Sequence, residues 1–167
     1  MIGSNIPRYT YGLTLTAGYK NFDLSVFFQG VGKKNFYFIA TDAGSGGNYA
    51  NYQLQRFVPD DPSTHATAPY PRLVNQSSNP NLADNSFYLM DAAYLRCKNV
   101  ALSYNLPAKL LQRAKIKGLK IFVTGTNLFT VDDLAIDFVD PESPTTSSGV
   151  SFAPNAKMYS LGLNVRF

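Results

Sequence analysis

The chain has 167 residues, a formal net charge of +4, 12 Phe, 11 Tyr, 12 Gly and 10 Pro, and no Trp, a balance that favours aromatic strands broken by turns over a helical or α/β domain. The lone cysteine, Cys97, excludes an intrachain disulfide or a thiolate metal site. The cations form no aromatic-interleaved stripe that would follow a phosphate backbone, so nucleic acid is not an expected partner, and no run of about 18 apolar residues offers a spanning helix.

The opening Met1-Ile2-Gly3-Ser4-Asn5-Ile6-Pro7 has neither the basic start nor the apolar core of a secretory signal. For an exported protein the signal is then expected upstream, and the chain is expected to be a fragment. From Tyr9 to Tyr19 the odd positions read Tyr9, Tyr11, Leu13, Leu15, Ala17, Tyr19 and the even ones Thr10, Gly12, Thr14, Thr16, Gly18. This period of two predicts a strand near 9–19. Lys20-Asn21 makes a short turn, and Phe22, Leu24, Val26 and Phe28 continue the apolar face in a strand near 22–31, giving a hairpin. A strand of this length, tilted by about 45°, climbs about 23 Å, close to the apolar band of an outer-membrane barrel.

Residues 32–93 break the pattern with Gly44-Ser45-Gly46-Gly47, Pro59-Asp60-Asp61-Pro62, Pro69-Tyr70-Pro71 and Asn79-Pro80-Asn81, and read as a long loop. Its aromatics, among them Phe36, Tyr37, Phe38, Tyr49, Tyr52 and Tyr70, could stack on sugar rings or peptide side chains, or pack the loop on itself. Alternation returns near 94–106, where Val100, Leu102, Tyr104 and Leu106 share a face. Pro107 suits the first position of a helix, with Leu110, Leu111 and Ala114 on one side of a short cap. Lys109, Arg113, Lys115, Lys117 and Lys120 surround that connection and read as a solvated turn.

A fourth strand near 118–127 follows from Leu119, Ile121 and Val123. The irregular stretch 128–156 holds Asp132, Asp133, Asp137, Asp140 and Glu142, whose spacing fits no calcium loop, so a solvated acidic loop is expected and no metal. The last strand, near 157–167, sets Tyr159, Leu161, Leu163, Val165 and Phe167 against Ser160, Gly162, Asn164 and Arg166. Short turns at 20–21 and 107–118 alternate with long loops at 32–93 and 128–156, as outer-membrane barrels alternate periplasmic turns with extracellular loops.

Catalysis is not expected, and neither is a cofactor. The one histidine, His65, lies among Thr and Pro, no nucleophile-elbow, zincin or P-loop spacing occurs, and a dyad of Asp132 with Glu142 would rest on an unpatterned loop. The alternative from another class is a soluble β-sandwich carbohydrate-binding module, which the same alternation would serve if a second sheet covered the apolar face. A closed small barrel acting as adhesin or pore ranks below it because the strand count is odd.

Several stretches together resemble a known family. They are Pro7-Arg8-Tyr9-Thr10-Tyr11-Gly12-Leu13, Phe22-Asp23-Leu24-Ser25-Val26-Phe27-Phe28-Gln29-Gly30, Asp91-Ala92-Ala93-Tyr94-Leu95-Arg96-Cys97-Lys98-Asn99-Val100, Tyr104-Asn105-Leu106-Pro107, Gly125-Thr126-Asn127-Leu128-Phe129 and Tyr159 to Phe167. They are similar to the C-terminal strands of SusC/RagA-type TonB-linked outer-membrane proteins, with Cys97 standing where a hydrophobic residue is expected.

The resemblance implies an all-β fold: an antiparallel transmembrane β-barrel segment supplying about the last five of about 22 strands. Two long extracellular loops and a short periplasmic helical turn would go with it, the plug and N-terminal domains lying outside this chain. It implies a part in an outer-membrane TonB-dependent nutrient importer of a Gram-negative bacterium, taking up a glycan (oligosaccharide) or peptide substrate. The implied partners are the remainder of the barrel and plug, a SusD-like surface lipoprotein, the TonB complex and the barrel assembly machinery. Ser160, Gly162, Val165 and Phe167 would form the assembly signal. Asp23, Gln29, Lys120, Thr124 and Asn164 would face the lumen, and Tyr49, Tyr52 and Tyr70 could touch substrate or the lipoprotein.

Overall fold

The computed structural model describes residues 3–37, 54–72, 86–112, 116–134, 139–142 and 155–167. Five strands make one antiparallel sheet: β1 (Tyr9–Tyr19), β2 (Phe22–Gly32), β5 (Tyr94–Asn105), β6 (Gly118–Asp132) and β7 (Met158–Arg166), hydrogen-bonded in that order. Two three-residue strands, β3 (Asn35–Tyr37) and β4 (Leu89–Asp91), pair as a separate ladder.

Register carries the two-faced pattern across every strand. Ala17, Leu24, Leu102, Val123 and Leu161 form one continuous row, and Tyr19, Phe22, Tyr104, Ile121 and Leu163 form the row beside it. Between these rows, on the opposite face, run Gly18, Asp23, Ser103, Phe122 and Gly162. Because side chains alternate along a strand, matched register leaves a whole face apolar and a whole face largely polar. The apolar face is uncovered, with Leu13 54% and Leu161 74% exposed. Among the described residues no second sheet lies over it, so the sandwich alternative lacks the layer it requires.

One irregularity preserves this segregation. Phe27 pairs with Asn99 while the next residue, Phe28, pairs with Cys97, so Lys98 is an extra residue in β5. Opposite it, β6 carries Asn127 in the left-handed region at φ 53°. A bulge of this kind shifts side-chain parity by one. Odd-numbered Leu95 and Cys97 thereby share the apolar face with even-numbered Val100 and Leu102.

The connections sort to two ends. At one end the Lys20-Asn21 turn closes β1 to β2 with Lys20 at φ 54°, Asn105 N–H donates to the Asn21 carbonyl, and Lys117 N–H donates to the Arg166 carbonyl. The helix α1 (Ala108–Leu111) is a single turn there, with Pro107 at its N-cap position. Leu110 and Leu111 do not share a side as expected, because Leu111 is buried and Leu110 is exposed. Ala114 lies outside the described residues.

At the opposite end, Phe36, Ala92 and Val139 form a small buried core with Met90 and Leu134 against it. The stretch 32–93 is therefore not without structure: Phe36 is core, and Tyr37 meets Tyr88 edge-on at 6.4 Å. Phe38 lies outside the described residues. The strand expected to stop near residue 127 runs to Asp132, well past the bulge.

Candidate functional site

Where β5 and β6 reach this core, the polar face holds an Arg in place of small neutral residues. Alternation puts Tyr94 and Arg96 on that face, and Thr130 is directly across from Arg96 in β6. Each nitrogen of the Arg96 guanidinium donates once: Nε to Thr130 Oγ1, Nη1 to Glu142 Oε2 and Nη2 to Asp140 Oδ1, each at 2.7 Å. Its side chain is 3% exposed, against 10% for Asp140.

Glu142 collects further donors, namely Tyr94 Oη at 2.9 Å, Lys98 Nζ at 2.9 Å and Asn155 Nδ2 at 3.0 Å. The Glu142 backbone N–H donates to Asp140 Oδ1 at 2.9 Å, and Lys34 Nζ donates to the Pro141 carbonyl at 2.5 Å. Burial by itself would raise both carboxyls. It is outweighed at Asp140 by the Arg96 and Glu142 N–H hydrogen bonds, and at Glu142 by Lys98 and Tyr94, so both are held below the ordinary carboxylate range. Burial lowers the Lys34 ammonium, against the raising pull of Glu142 and Asp140.

The expected solvated acidic loop is corrected by this cluster. Residues 139–142 are docked on the sheet's polar face, and two of the five acids nominated there are ion-paired and mostly buried. The carboxylates of Asp132 and Glu142 do not act as a pair. Asp132 Oδ1 accepts from Leu134 N–H, while Glu142 is committed to the cations. A charge-satisfied cluster of this type holds a loop in one place and leaves no free general acid or base.

A second polar feature lies toward the short-turn end of the same face. Asp23, Ser25, Ser103 and Lys120 line an open recess of 340 Å³. Asn105 Nδ2 donates to Asp23 Oδ2 at 2.9 Å, and Lys120 Nζ stands 3.9 Å from the same oxygen. Asp23, Gln29, Lys120, Thr124 and Asn164 all have register positions on this polar face.

Of the tyrosines expected at the loops, Tyr70 is among the described residues. Tyr49 and Tyr52 lie outside the described residues. Tyr70 sits in a small unit where its carbonyl accepts from Phe57 N–H at 2.8 Å and its backbone bridges Arg56. Close by, Phe57 stacks on His65 at 4.9 Å, whose Nε2 is 3.0 Å from the Pro59 carbonyl. In β7, Ser160 and Gly162 take the polar face and Val165 the apolar one, with Phe167 just past the strand and 79% exposed.

Sequence reasoning missed the Arg96 cluster. The available signal was a run of Tyr94, Arg96 and Lys98 in a strand whose other polar-face residues are Asn99, Ala101, Ser103 and Asn105, with an acid-rich loop downstream to answer it.

No protein-family model matches the chain. Among curated proteins it is similar over its whole length to TonB-dependent receptor P3 of Formosa agariphila, 29% identical over 180 residues and 17% of that receptor. It is likewise similar to TonB-dependent receptor P26 of the same organism, 30% identical over 185 residues and 18% of that receptor. Among solved structures, the RagAB peptide transporter matches 99% of the chain with a TM-score of 0.73 and 26% identity, over 18% of the transporter chain. The chain thus spans under a fifth of the length of the proteins it matches.

Proposed function

We infer that this chain, a TonB-dependent receptor segment of the SusC/RagA type, supplies the last part of the barrel wall in an outer-membrane importer of oligosaccharides or peptides. The observation that carries the reading is the sheet itself. Five strands in matched register present an unbroken, uncovered apolar face and an opposed polar face, with short turns at one end and long connections at the other. In lipid the apolar face needs no second layer, and closure by further strands satisfies the free edges of β1 and β7.

In this reading the short-turn end is periplasmic in a Gram-negative cell, the loops after β2 and β6 are extracellular, and the polar face lines the lumen. The Arg96 cluster then fixes the last extracellular loop to the inside of the wall, shaping the entrance over the plug. The loop unit around Tyr70, together with Tyr49 and Tyr52, would meet substrate or a SusD-like lipoprotein. Energy would arrive from the TonB complex through the remainder of the receptor. Ser160, Gly162, Val165 and Phe167 would serve the barrel assembly machinery.

Fractionation and uptake test this together. Deleting the full-length gene should abolish uptake of one oligomeric nutrient class, and the tagged receptor should co-purify from outer membranes with a surface lipoprotein. A receptor recovered in the soluble fraction, or uptake of every peptide and oligosaccharide pool unchanged, would defeat the reading.

A further inference from the structure

The two ends of the sheet differ in charge. From Pro107 to Lys120 the chain carries five cations and no acid, and the β1–β2 turn adds Lys20. The connection 133–157 instead carries Asp133, Asp137, Asp140 and Glu142 against Lys157 alone. At the long-loop end Arg96 and Lys98 are answered by Asp140 and Glu142, while Lys33 Nζ stands 5.8 Å from the centre of the Tyr9 ring. At the short-turn end Lys20, Lys109 and Lys117 have no carboxylate partner among the described residues.

The Lys20 ammonium adjoins the edge of the uncovered apolar face, and Lys109 and Lys117 lie on the connection at the same end of the sheet. Its last aromatic row is Tyr19, Phe22 and Tyr104, with Phe22 and Tyr104 rings 4.6 Å apart. The Lys20 Nζ stands 5.2 Å from the centre of the Tyr19 ring, on that same face. Leu110, beside Lys109 in α1, is 68% exposed, and the Lys117 backbone is bonded to the last residue of β7. Hydrocarbon-facing rows, an aromatic row, then unpaired ammonium groups is the sequence of environments met on passing from acyl chains to phosphate headgroups.

We propose that this basic rim, Lys20 with Lys109 and Lys117, binds the phosphate groups of anionic phospholipid in the leaflet at the short-turn end. The proposal rests on the barrel-wall reading and adds a lipid partner to it. Anionic phospholipid fits because the charge is positive and unpaired, and because the cations stand at the margin of a face that already requires acyl chains. Each ammonium has three donors and no fixed fork, so the rim selects charge over headgroup shape.

The test uses the full-length receptor, extracted in mild detergent, exchanged into nanodiscs of equimolar phosphatidylglycerol and phosphatidylcholine, and released for native mass spectrometry. The receptor should retain phosphatidylglycerol several-fold over phosphatidylcholine, and the preference should collapse in 0.5 M salt and in the triple variant Lys20→Gln, Lys109→Gln, Lys117→Gln. Equal retention of the two lipids, a preference unchanged in the variant, or displacement of the lipid by millimolar inorganic phosphate would overturn the proposal. Heat-modifiable gel mobility, measured alongside, reports the barrel separately: a receptor that never enters nanodiscs refutes the barrel reading, whereas a folded barrel without lipid preference refutes only the rim.

Discussion

Arg96 Nη2 and Asp140 Oδ1 are 2.7 Å apart although 44 residues separate them in the chain, and this contact joins β5 to the connection between β6 and β7. Removing one partner of a buried pair strands the other charge, at about 3 kcal/mol or more. Arg96→Met should therefore free residues 139–142 while leaving the ten-residue-scale ladders of β5 and β6 intact. Hydrogen exchange on the full-length receptor should show protection lost in 139–142 and kept in 99–105. Retained loop protection would mean that Phe36, Ala92 and Val139 hold the loop without the ion pairs.

Acid should loosen the same loop. Asp140 and Glu142 are both held below their ordinary carboxylate range, facing Arg96, Lys98, Tyr94 and Lys34. A group whose folded pKa is depressed contributes stability that is fully present above its unfolded value, about pH 4, and is lost as pH falls through the folded value. Protection factors in 139–142 should be flat from pH 8 to pH 5 and fall below about pH 4. A fall centred near pH 6 would point to a different titrating group.

Two glycines should respond differently to alanine. A Cβ on Gly162 would run into Phe122 Cζ, the far end of a ring that can swing aside, whereas on Gly30 it would come 2.5 Å from the Tyr94 carbonyl as well as 2.6 Å from Tyr11 Cζ. Backbone does not yield as a ring does, so Gly30→Ala should cost more of the folded, heat-modifiable barrel than Gly162→Ala. Overpacking of this kind costs about 1–3 kcal/mol. Phe122→Leu should rescue Gly162→Ala, and nothing at Tyr11 should rescue Gly30→Ala. The Tyr11 hydroxyl also donates to that carbonyl, at 3.1 Å, fixing the ring over Gly30.

The strands were legible in the sequence because one face of each repeats every second residue, as in Leu161, Leu163 and Val165, and the register follows from matching those rows. The bulge at Lys98 was not, because parity in Leu95 and Cys97 reverses against Val100 and Leu102 and no glycine marks the place. The Arg96 cluster was hidden for another reason. Asp140 and Glu142 look like any solvated acids until a strand 44 residues earlier offers a guanidinium, and local pattern holds no information on such a pairing.

Charge should be tolerated on one face and not on the other. Arg at Val123, on the apolar face of β6, should cost about 2–4 kcal/mol near mid-membrane, while Arg at Thr124, its neighbour on the polar face, should fold close to normally. Folded yield from outer membranes reads both.

The most direct test of the wall is a scan of β7 in the full-length receptor with Cys97 replaced by Ala. Single cysteines from Tyr159 to Val165 carry an environment-sensitive fluorophore, quenched either by brominated lipid or by aqueous iodide. Lipid quenching is expected at 159, 161, 163 and 165, and iodide quenching at 160, 162 and 164. Iodide access without alternation, or lipid quenching on the even positions, would contradict it.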